Sequence, residues 1–524
     1  MDFSKLNRVL LKLSKRAESN DWSKLVDTFV DVGPLFTLLS NAEHQILYGR
    51  RGTGKTHALI YLYEMMEEKG DLPIYLDLRK VGSTGGLYSD PQISVPERAT
   101  RLLSDTLSAI HDKVLEYAID NEDKVDLSAM GPTLDNLASC ITEVRIAGPI
   151  EREESTGSGY KKSESSEFRI NISPNNPTVG ANSKKANDTK AYKAEKTVAK
   201  GDIKHRIHFG STTKYLQELS EGLPDVNLWV LLDEWSSIPI DLQPYLADFI
   251  RRTMFPIKGF VIKIAAIDQR TNFKIAGERG EYIGIEVGAD AGADLNLDDY
   301  MVFDNDESKA TKFFQELIFR HFKSINSTYD DDLPQTSDEL VKLAFTQSNT
   351  FEEFVRASEG VPRDAIYILG GAVQKAYDSA ISISNIRSSA RSWYQRDKEA
   401  AATANSKAKS LLHWIIDQVI GHRQARAFLL ESNTRHYLID TLYDARVLHL
   451  LKRNISARDE PGERYDVYKL DYGCYVDLLA TTRAPQGLLF KDNDEGKGKF
   501  EIPKDDYRAV RRAILDFKEF EKRR

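Results

Sequence analysis

Nine residues near the start of the chain, GRRGTGKTH from Gly49 to His57, have the types and the spacing of a phosphate-binding loop. Glycines let phosphate oxygens meet several backbone N–H groups, and a helix that follows directs its positive end at the same charge. In a G-x-x-x-x-G-K-T pattern Lys55 reaches the β and γ phosphates and Thr56 binds Mg²⁺, so the sequence predicts a site for ATP and Mg²⁺. The expected nucleotide-binding residues are Gly49, Arg50, Arg51, Gly52, Thr53, Gly54, Lys55, Thr56 and His57.

Two carboxylates end the apolar run LWVLLDEW, at Asp233 and Glu234. A carboxylate at the end of a neighbouring strand can hold the magnesium ion, and a second one can orient and deprotonate the attacking water. We therefore expect Thr56 and Asp233 to be the metal ligands. Lys55 and Glu234 are the expected catalytic residues of ATP hydrolysis.

Polar residues also follow the apolar run GFVIKIAAID, where Asp268 is succeeded by Gln269. The carboxyl ends of parallel strands face the ligand, so either side chain could sense the γ-phosphate, although a simple solvent contact explains them equally well. In EGVPRDAI, Gly360 and Pro362 mark a helix start that would present Arg363 to the nucleotide. The chain also offers three candidates for an arginine finger given to a neighbouring subunit: Arg251, Arg252 and Arg270.

A parallel sheet is needed to bring these residues together. Short apolar strands alternate with helical segments along residues 44–300, which predicts an α/β fold with a doubly wound parallel sheet. Within it, residues 150–204 lack hydrophobic periodicity and are expected to form an insertion that is flexible or builds an exposed hairpin. The expected parts are an N-terminal helical segment (1–43), a P-loop ATPase core (44–300), a helical lid (301–380) and a winged-helix domain with a C-terminal helix (381–524).

Composition narrows the class of protein. The 524 residues carry a net charge of −8, but residues 381–524 hold 27 Lys and Arg against 21 Asp and Glu. A mildly basic C-terminal part can touch nucleic acid, and a solvated surface explains the charge equally well. No apolar run is long enough to span a membrane, and the two cysteines form no metal or disulfide pattern, so we expect a cytoplasmic protein.

These motifs, in this order, resemble the AAA-type ATPases of the origin-recognition and replication-initiator class. The resemblance extends over roughly residues 43–479, apart from the insertion. It implies that Lys55, Thr56, Asp233 and Glu234 bind and hydrolyse ATP, that Arg363 is the sensor of the lid, and that the winged helix contacts duplex DNA. The sensor at the strand end is usually Asn or Thr in that class, whereas this chain has Asp268 and Gln269.

The sequence leaves the partner open. An ATP-driven switch could engage duplex DNA through phosphate contacts, and the expected protein contact is either a partner protein or self-assembly. Similar bacterial ATPases act in antiviral defence or signalling, so the alternative is a nucleotide-dependent scaffold or sensor with little turnover. The candidate phosphate contacts of the winged helix are Arg426, Lys452, Arg453 and Arg458.

Overall fold

The computed structural model describes most of the chain. The described residues are 3–13, 21–31, 33–81, 88, 90, 92–122, 125–141, 208–223, 225–278, 280–298, 307–325, 333–421, 427–434, 436–456, 463–479 and 513–522, with only the backbone of short strands between 142 and 207. Among these residues, none of the helices combines the length and the apolar character that a membrane span requires.

A five-stranded parallel sheet forms the centre of the fold. Its strands along the chain are β1 Gln45–Tyr48, β2 Leu72–Asp77, β3 Leu228–Asp233, β4 Phe260–Ala266 and β5 Gly292–Asn296. They lie in the order β5-β1-β4-β3-β2, and every neighbouring pair is parallel. Every residue of β3 and β4 is buried. A strand buried on both faces needs apolar side chains at consecutive positions, which explains their continuous apolar sequences.

Alternate residues of β3 enter two separate hydrophobic cores. Trp229 and Leu231 pack on the face covered by the helix Lys55–Glu68, whereas Val230 and Leu232 pack on the opposite face. The sheet is therefore covered on both faces, as the doubly wound prediction requires. The helices of the opposite face are Val95–Asp120, Leu127–Ile141, Phe209–Glu221 and Gln243–Thr253.

The first core also joins the N-terminal helices to a group of later helices. These helices are Phe3–Leu10, Trp22–Thr28, Leu35–Leu39, Glu307–Ile325, Ser337–Ala344, Ser348–Ser358 and Pro362–Ala376. The last of them is called the Pro362 helix below. A proline at its first turn costs no hydrogen bond, because the first N–H groups of a helix have no partner within it.

Two antiparallel strand pairs lie at the ends of the predicted insertion (150–204). Val144–Ala147 pairs with Asp202–His205, so this pair extends beyond the predicted bounds, and Ile150–Glu153 pairs with Lys196–Ala199. The shorter strands described in this segment are Arg169–Ile170, Ile172–Ser173 and Asn176–Pro177. The remainder of the predicted insertion lies outside the described residues.

The C-terminal region, here residues 383–479 and 513–522, combines helices with a three-stranded antiparallel sheet. Its strands are β6 Ala427–Glu431, β7 Leu448–Ser456 and β8 Arg464–Leu470, with β8 in the middle. Its α-helices are Ile383–Trp393, Glu399–Thr403, Ser406–Trp414, Tyr437–Asp444, Tyr472–Leu479 and Phe517–Lys522, and π-helical turns occupy Tyr394–Lys398 and Ile415–Gly421. The short run AFLLE of β6 has no alternation of apolar and polar residues, so its sequence does not mark it as a strand.

Candidate nucleotide site

The glycine-rich loop connects β1 to the helix Lys55–Glu68, which begins at Lys55. The N–H of Gly49 donates to the carbonyl oxygen of Ala266 at 3.2 Å and fixes the start of the loop to the end of β4. Gly52 and Gly54 have φ angles of +85° and +100°, in the left-handed region where a side chain causes strain. The observed turn places backbone N–H groups and a helix N-terminus together, as phosphate binding requires.

The Pro362 helix begins directly against this loop. The Arg363 N–H donates to the carbonyl oxygen of Gly52 at 3.2 Å. A Cβ atom at Gly52 would lie only 2.8 Å from Cβ of Arg363 and 3.2 Å from Cγ1 of Val361. Gly52 is thus needed for close approach as well as for its φ angle, and Arg363 lies at the loop, where the sequence places it.

Lys55 projects back across the loop among charged groups. Its Nζ donates to the carbonyl oxygens of Gly49 and Arg50, at 2.7 and 3.0 Å. Burial lowers the pKa of Lys55 below the usual range of a lysine, and the negative charges of Asp233 and Glu234 oppose that effect. An ammonium group held between a phosphate-binding loop and two carboxylates is suited to bind an anion beside a cation.

Asp233 is buried and accepts hydrogen bonds from three donors. Thr56 Oγ1 and the Tyr75 hydroxyl each donate to Oδ2 at 2.7 Å, and the Glu234 N–H donates to Oδ1 at 2.8 Å. Burial, followed by the charge of Asp233, raises the pKa of Tyr75, so its hydroxyl keeps the proton that it donates.

The oxygen donors of Thr56 and Asp233 fit a magnesium ion. Mg²⁺ is usually bound by one or two protein oxygens together with phosphate oxygens and water, rather than by a complete cage of side chains. In the described part of the chain, no group of three or more His, Cys, Asp or Glu side chains could hold a metal by itself. Thr56 and Asp233 would hold Mg²⁺ together with phosphate oxygens and water.

Glu234 follows β3 in a left-handed conformation, with φ of 56°, and its carboxylate is partly exposed. Its Oε1 lies 3.6 Å from Nη1 of Arg79, and the Ser237 hydroxyl is 3.4 Å from its Oε2. Arg79 in turn makes two hydrogen bonds with Asp77 at the end of β2, both at 2.9 Å. The candidate base is therefore held by an arginine that the sequence did not single out.

Arg50 belongs to the loop, but its side chain turns away into the protein and is 2% exposed. Its Nε donates to Oδ1 of Asp298 at 2.8 Å, Nη2 donates to the carbonyl oxygen of Glu359 at 3.2 Å, and Nη1 donates to Nδ1 of His449. Burial and the charge of Arg50 lower the pKa of His449 to about 3, so this ring is neutral and accepts. Because His449 lies on β7, one side chain connects the loop to the C-terminal region.

Two further residues of the predicted set take separate directions. The Arg51 side chain is exposed, next to the buried Arg50. His57 makes a hydrogen bond with the carbonyl oxygen of Leu25 and packs edge-on against Phe29, while burial lowers its pKa. The side chains of Arg50 and His57 thus contact protein, and only their backbone remains for the predicted contact with nucleotide.

The polar end of β4 also contacts the C-terminal region. Asp268 forms an ion pair with Arg453 at 2.6 Å, and Arg270 forms one with Asp444. The side chain of Gln269 lies beside the Tyr468 hydroxyl. The role of Asp268 or Gln269 as a γ-phosphate sensor stays a prediction, but their contacts with the C-terminal region were not expected from the sequence.

The arginines predicted for trans contacts are paired within the chain. Arg251 and Arg252 both bind Asp248 at 2.8 Å. Arg453, a predicted phosphate contact, is occupied by Asp268, whereas Lys452 is exposed. Arg426 and Arg458 lie outside the described residues.

Sequence reasoning missed Tyr75, Arg79 and Asp298 as parts of this site. Tyr75 lies within β2, and Arg79 lies two residues after the end of that strand. Strand β2 pairs directly with β3, and Asp77 is the register partner of Asp233. Polar residues at the end of a strand next to the carboxylate strand were the available signal. Asp298 had no such signal, because β5 itself was not predicted.

A parallel sheet whose first strand leads through a glycine-rich loop into a helix, with a hydroxyl and carboxylate pair beside it, fits the core of a P-loop ATPase. The sequence model of the ORC-CDC6-like family matches residues 13–65, the segment that carries this loop. The resemblance to the origin-recognition class is thereby confirmed for that segment.

Among the solved structures that this chain resembles is the Aeropyrum pernix ORC1 protein in complex with DNA. It is 13% identical, covers 90% of this chain and 96% of its own, and has a TM-score of 0.31. Comparison with proteins of curated function finds no match.

Proposed function

We propose that the protein is an ATP-binding and ATP-hydrolysing molecular switch that couples its nucleotide state to a partner of the C-terminal region. The observation that carries this proposal is the convergence of Lys55, Thr56, Asp233 and Glu234 around one glycine-rich loop. Fixed donors around a dry anion site are what phosphoryl transfer requires, because its catalysis depends on positioning and electrostatic stabilisation.

Each of these residues has a distinct task in the proposal. The loop N–H groups and Lys55 bind the phosphates, and Thr56 and Asp233 hold the magnesium ion, which neutralises phosphate charge when bound. Glu234 accepts a proton from the attacking water. Arg363, at the start of the Pro362 helix, stabilises charge on the phosphates from the helical lid (301–380).

The C-terminal part, residues 381–524, is the proposed winged-helix output. Its contacts with the ATPase core (44–300) reach both the phosphate loop, through Arg50 and His449, and the end of β4, through Asp268 and Arg453. A ligand shifts a conformational equilibrium only when it binds the two states differently. Contacts that begin at the phosphate loop give ATP a way to do this. We propose duplex DNA as the partner. This rests on the basic composition of residues 381–524 and on the resemblance to replication initiators.

A scaffold or sensor with little turnover is the alternative, and one observation favours it. Glu234 is paired with Arg79, which is itself held by Asp77. A carboxylate held in this way is poorly placed to accept a proton from water. Slow hydrolysis would then persist until a partner displaced Arg79, as in a bacterial defence or signalling complex.

Steady-state ATP hydrolysis with and without duplex DNA tests the proposal. Lys55→Ala and Glu234→Gln serve as inactive variants, and Lys113→Ala as a control for the loss of an exposed cation on the helix Val95–Asp120. We expect DNA to stimulate hydrolysis in the wild type and in Lys113→Ala only. Hydrolysis that DNA does not change would favour a protein partner, and hydrolysis insensitive to both inactivating substitutions would refute the site.

A further inference from the structure

We propose that Tyr75 is a positioning residue that fixes the Asp233 carboxylate for magnesium binding. This inference rests on the proposed ATP and magnesium site. It concerns a residue outside the phosphate loop and the carboxylate strand. Tyr75 lies on β2, the edge strand of the sheet, and its hydroxyl donates to Oδ2 of Asp233 at 2.7 Å.

The hydrogen bonds of Asp233 leave its carboxylate little freedom. A carboxylate offers about four lone-pair sites on its two oxygens. Thr56 and Tyr75 occupy both sites of Oδ2, and the Glu234 N–H occupies one site of Oδ1. The remaining site on Oδ1 is the one left for the metal or for a water bound to it. Tyr75 therefore determines which oxygen of Asp233 is available.

Tyr75 is itself held in place from two directions. Its backbone pairs with β3 in register, opposite Leu231, two residues before Asp233. Side chains two residues apart on a strand share a face, so the hydroxyl reaches Asp233 along the same face of the sheet. The Trp22 ring packs edge-on against it, with ring centroids 5.6 Å apart. A hydroxyl anchored in this way can orient its acceptor.

Tyr63 offers a matched control. It also packs edge-on against Trp22, with ring centroids 4.9 Å apart, but its hydroxyl lies beside Glu67 rather than beside Asp233. Tyr63→Phe removes one hydroxyl from the same aromatic cluster and leaves the donors of Asp233 intact. Tyr75→Phe removes one donor from Asp233 and keeps the packing of the ring.

The test is binding of a fluorescent ATP analogue as Mg²⁺ is titrated, with binding in EDTA as a second measurement. Losing a hydrogen bond to a charged group should raise the Mg²⁺ concentration at half-saturation about tenfold in Tyr75→Phe. We expect no change in Tyr63→Phe, and equal binding of the analogue in EDTA by both variants and the wild type. In an Asp233→Ala background, Tyr75→Phe should have no further effect, because Tyr75 acts through Asp233.

Four results would overturn the inference. If the Mg²⁺ concentration at half-saturation in Tyr75→Phe stayed within twofold of the wild-type value, Tyr75 would not affect the metal site. Equal loss of binding in EDTA, or the same effect in the Asp233→Ala background, would show that it acts by packing alone. If the wild type bound no analogue, or if Lys55→Ala bound it as well as the wild type does, the proposed nucleotide site would be refuted. The inference about Tyr75 would then be refuted too.

Discussion

Replacement of Arg50 by alanine should weaken the attachment of the C-terminal region to the phosphate loop. The substitution leaves Asp298 buried without its cation, and breaking one partner of a buried ion pair costs about 3–5 kcal/mol. Two donors to Asp298 remain, the Arg50 N–H at 3.1 Å and the Tyr443 hydroxyl at 3.3 Å. We therefore expect a cost near the lower limit, about 3 kcal/mol.

Hydrogen exchange measures this cost locally, which suits a chain of several units better than one global unfolding transition. A loss of about 3 kcal/mol corresponds to a fall of roughly 100-fold in the protection of backbone amides. We expect this fall in Leu448–Ser456, the strand that carries His449. The exposed neighbour provides the control, since Arg51→Ala should leave protection unchanged. Nucleotide binding should persist in Arg50→Ala because the loop binds phosphate through its backbone.

A second substitution separates the cost of the unpaired Asp298 charge from the cost of losing the other contacts of Arg50. Removing the orphaned carboxylate, in Arg50→Ala with Asp298→Ala, should restore part of the protection, since the unpaired buried charge is then absent. A fall of less than threefold in Arg50→Ala would refute the argument. So would equal effects of Arg50→Ala and Arg51→Ala.

Three other expectations concern separate parts of the molecule. Burial beside another histidine lowers the pKa of His321 to about 4 from 6.5, so its neutral form stabilises the fold above pH 6.5. The free energy of unfolding should therefore fall by about 2 kcal/mol between pH 7 and 5. Urea unfolding should show a smaller fall in His321→Gln. Gly52→Ala should lower the free energy of unfolding by about 1–3 kcal/mol, because the new Cβ contacts the Pro362 helix. It should also weaken nucleotide binding in a fluorescence titration. Gly70 has a similar φ angle but open space around it, so Gly70→Ala should keep nucleotide binding. Because Arg453 is paired with a carboxylate, Arg453→Ala should leave duplex DNA affinity within about twofold by fluorescence anisotropy, whereas Lys452→Ala should weaken it.

The local motifs of this chain could be read from sequence because their meaning depends on near neighbours. The phosphate loop needs only a strand before it and a helix after it, and Gly49, Gly54 and Lys55 supply that pattern within seven residues. The apolar run of β3 likewise predicts a buried strand from neighbouring residues alone. In contrast, β5 reads GADLN and carries too few apolar residues to be recognised, although it completes the sheet beside β1.

Contacts between distant residues could not be read in this way. Arg50 binds Asp298 and His449, which lie 248 and 399 positions away along the chain. Nothing near Arg50 distinguishes it from Arg51, yet one side chain is buried and the other exposed. Burial depends on which elements pack against the loop, and a single sequence does not contain that information.

The energies of these distant contacts decide which part of the protein can respond to nucleotide. The Arg270–Asp444 and Arg453–Asp268 pairs are partly exposed, with arginine exposures of 42% and 36%, and such pairs are worth about 0–1 kcal/mol. They can exchange partners at little cost. Separating Arg50 from Asp298 inside the protein would instead leave a buried charge without its partner, at about 3–5 kcal/mol, which is most of the roughly 5.5 kcal/mol that a complete switch requires.

We therefore expect the phosphate loop and β7 to move as one body. The response to nucleotide should then arise where the contacts are weaker, between Arg79 and Glu234 and at the exposed pairs that end β4. A change in partner there would alter the angle of the C-terminal region without detaching it from the loop. Arg50 would then act as the pivot of the motion, and the prediction for Arg50→Ala becomes a test of whether the switch has a fixed axis.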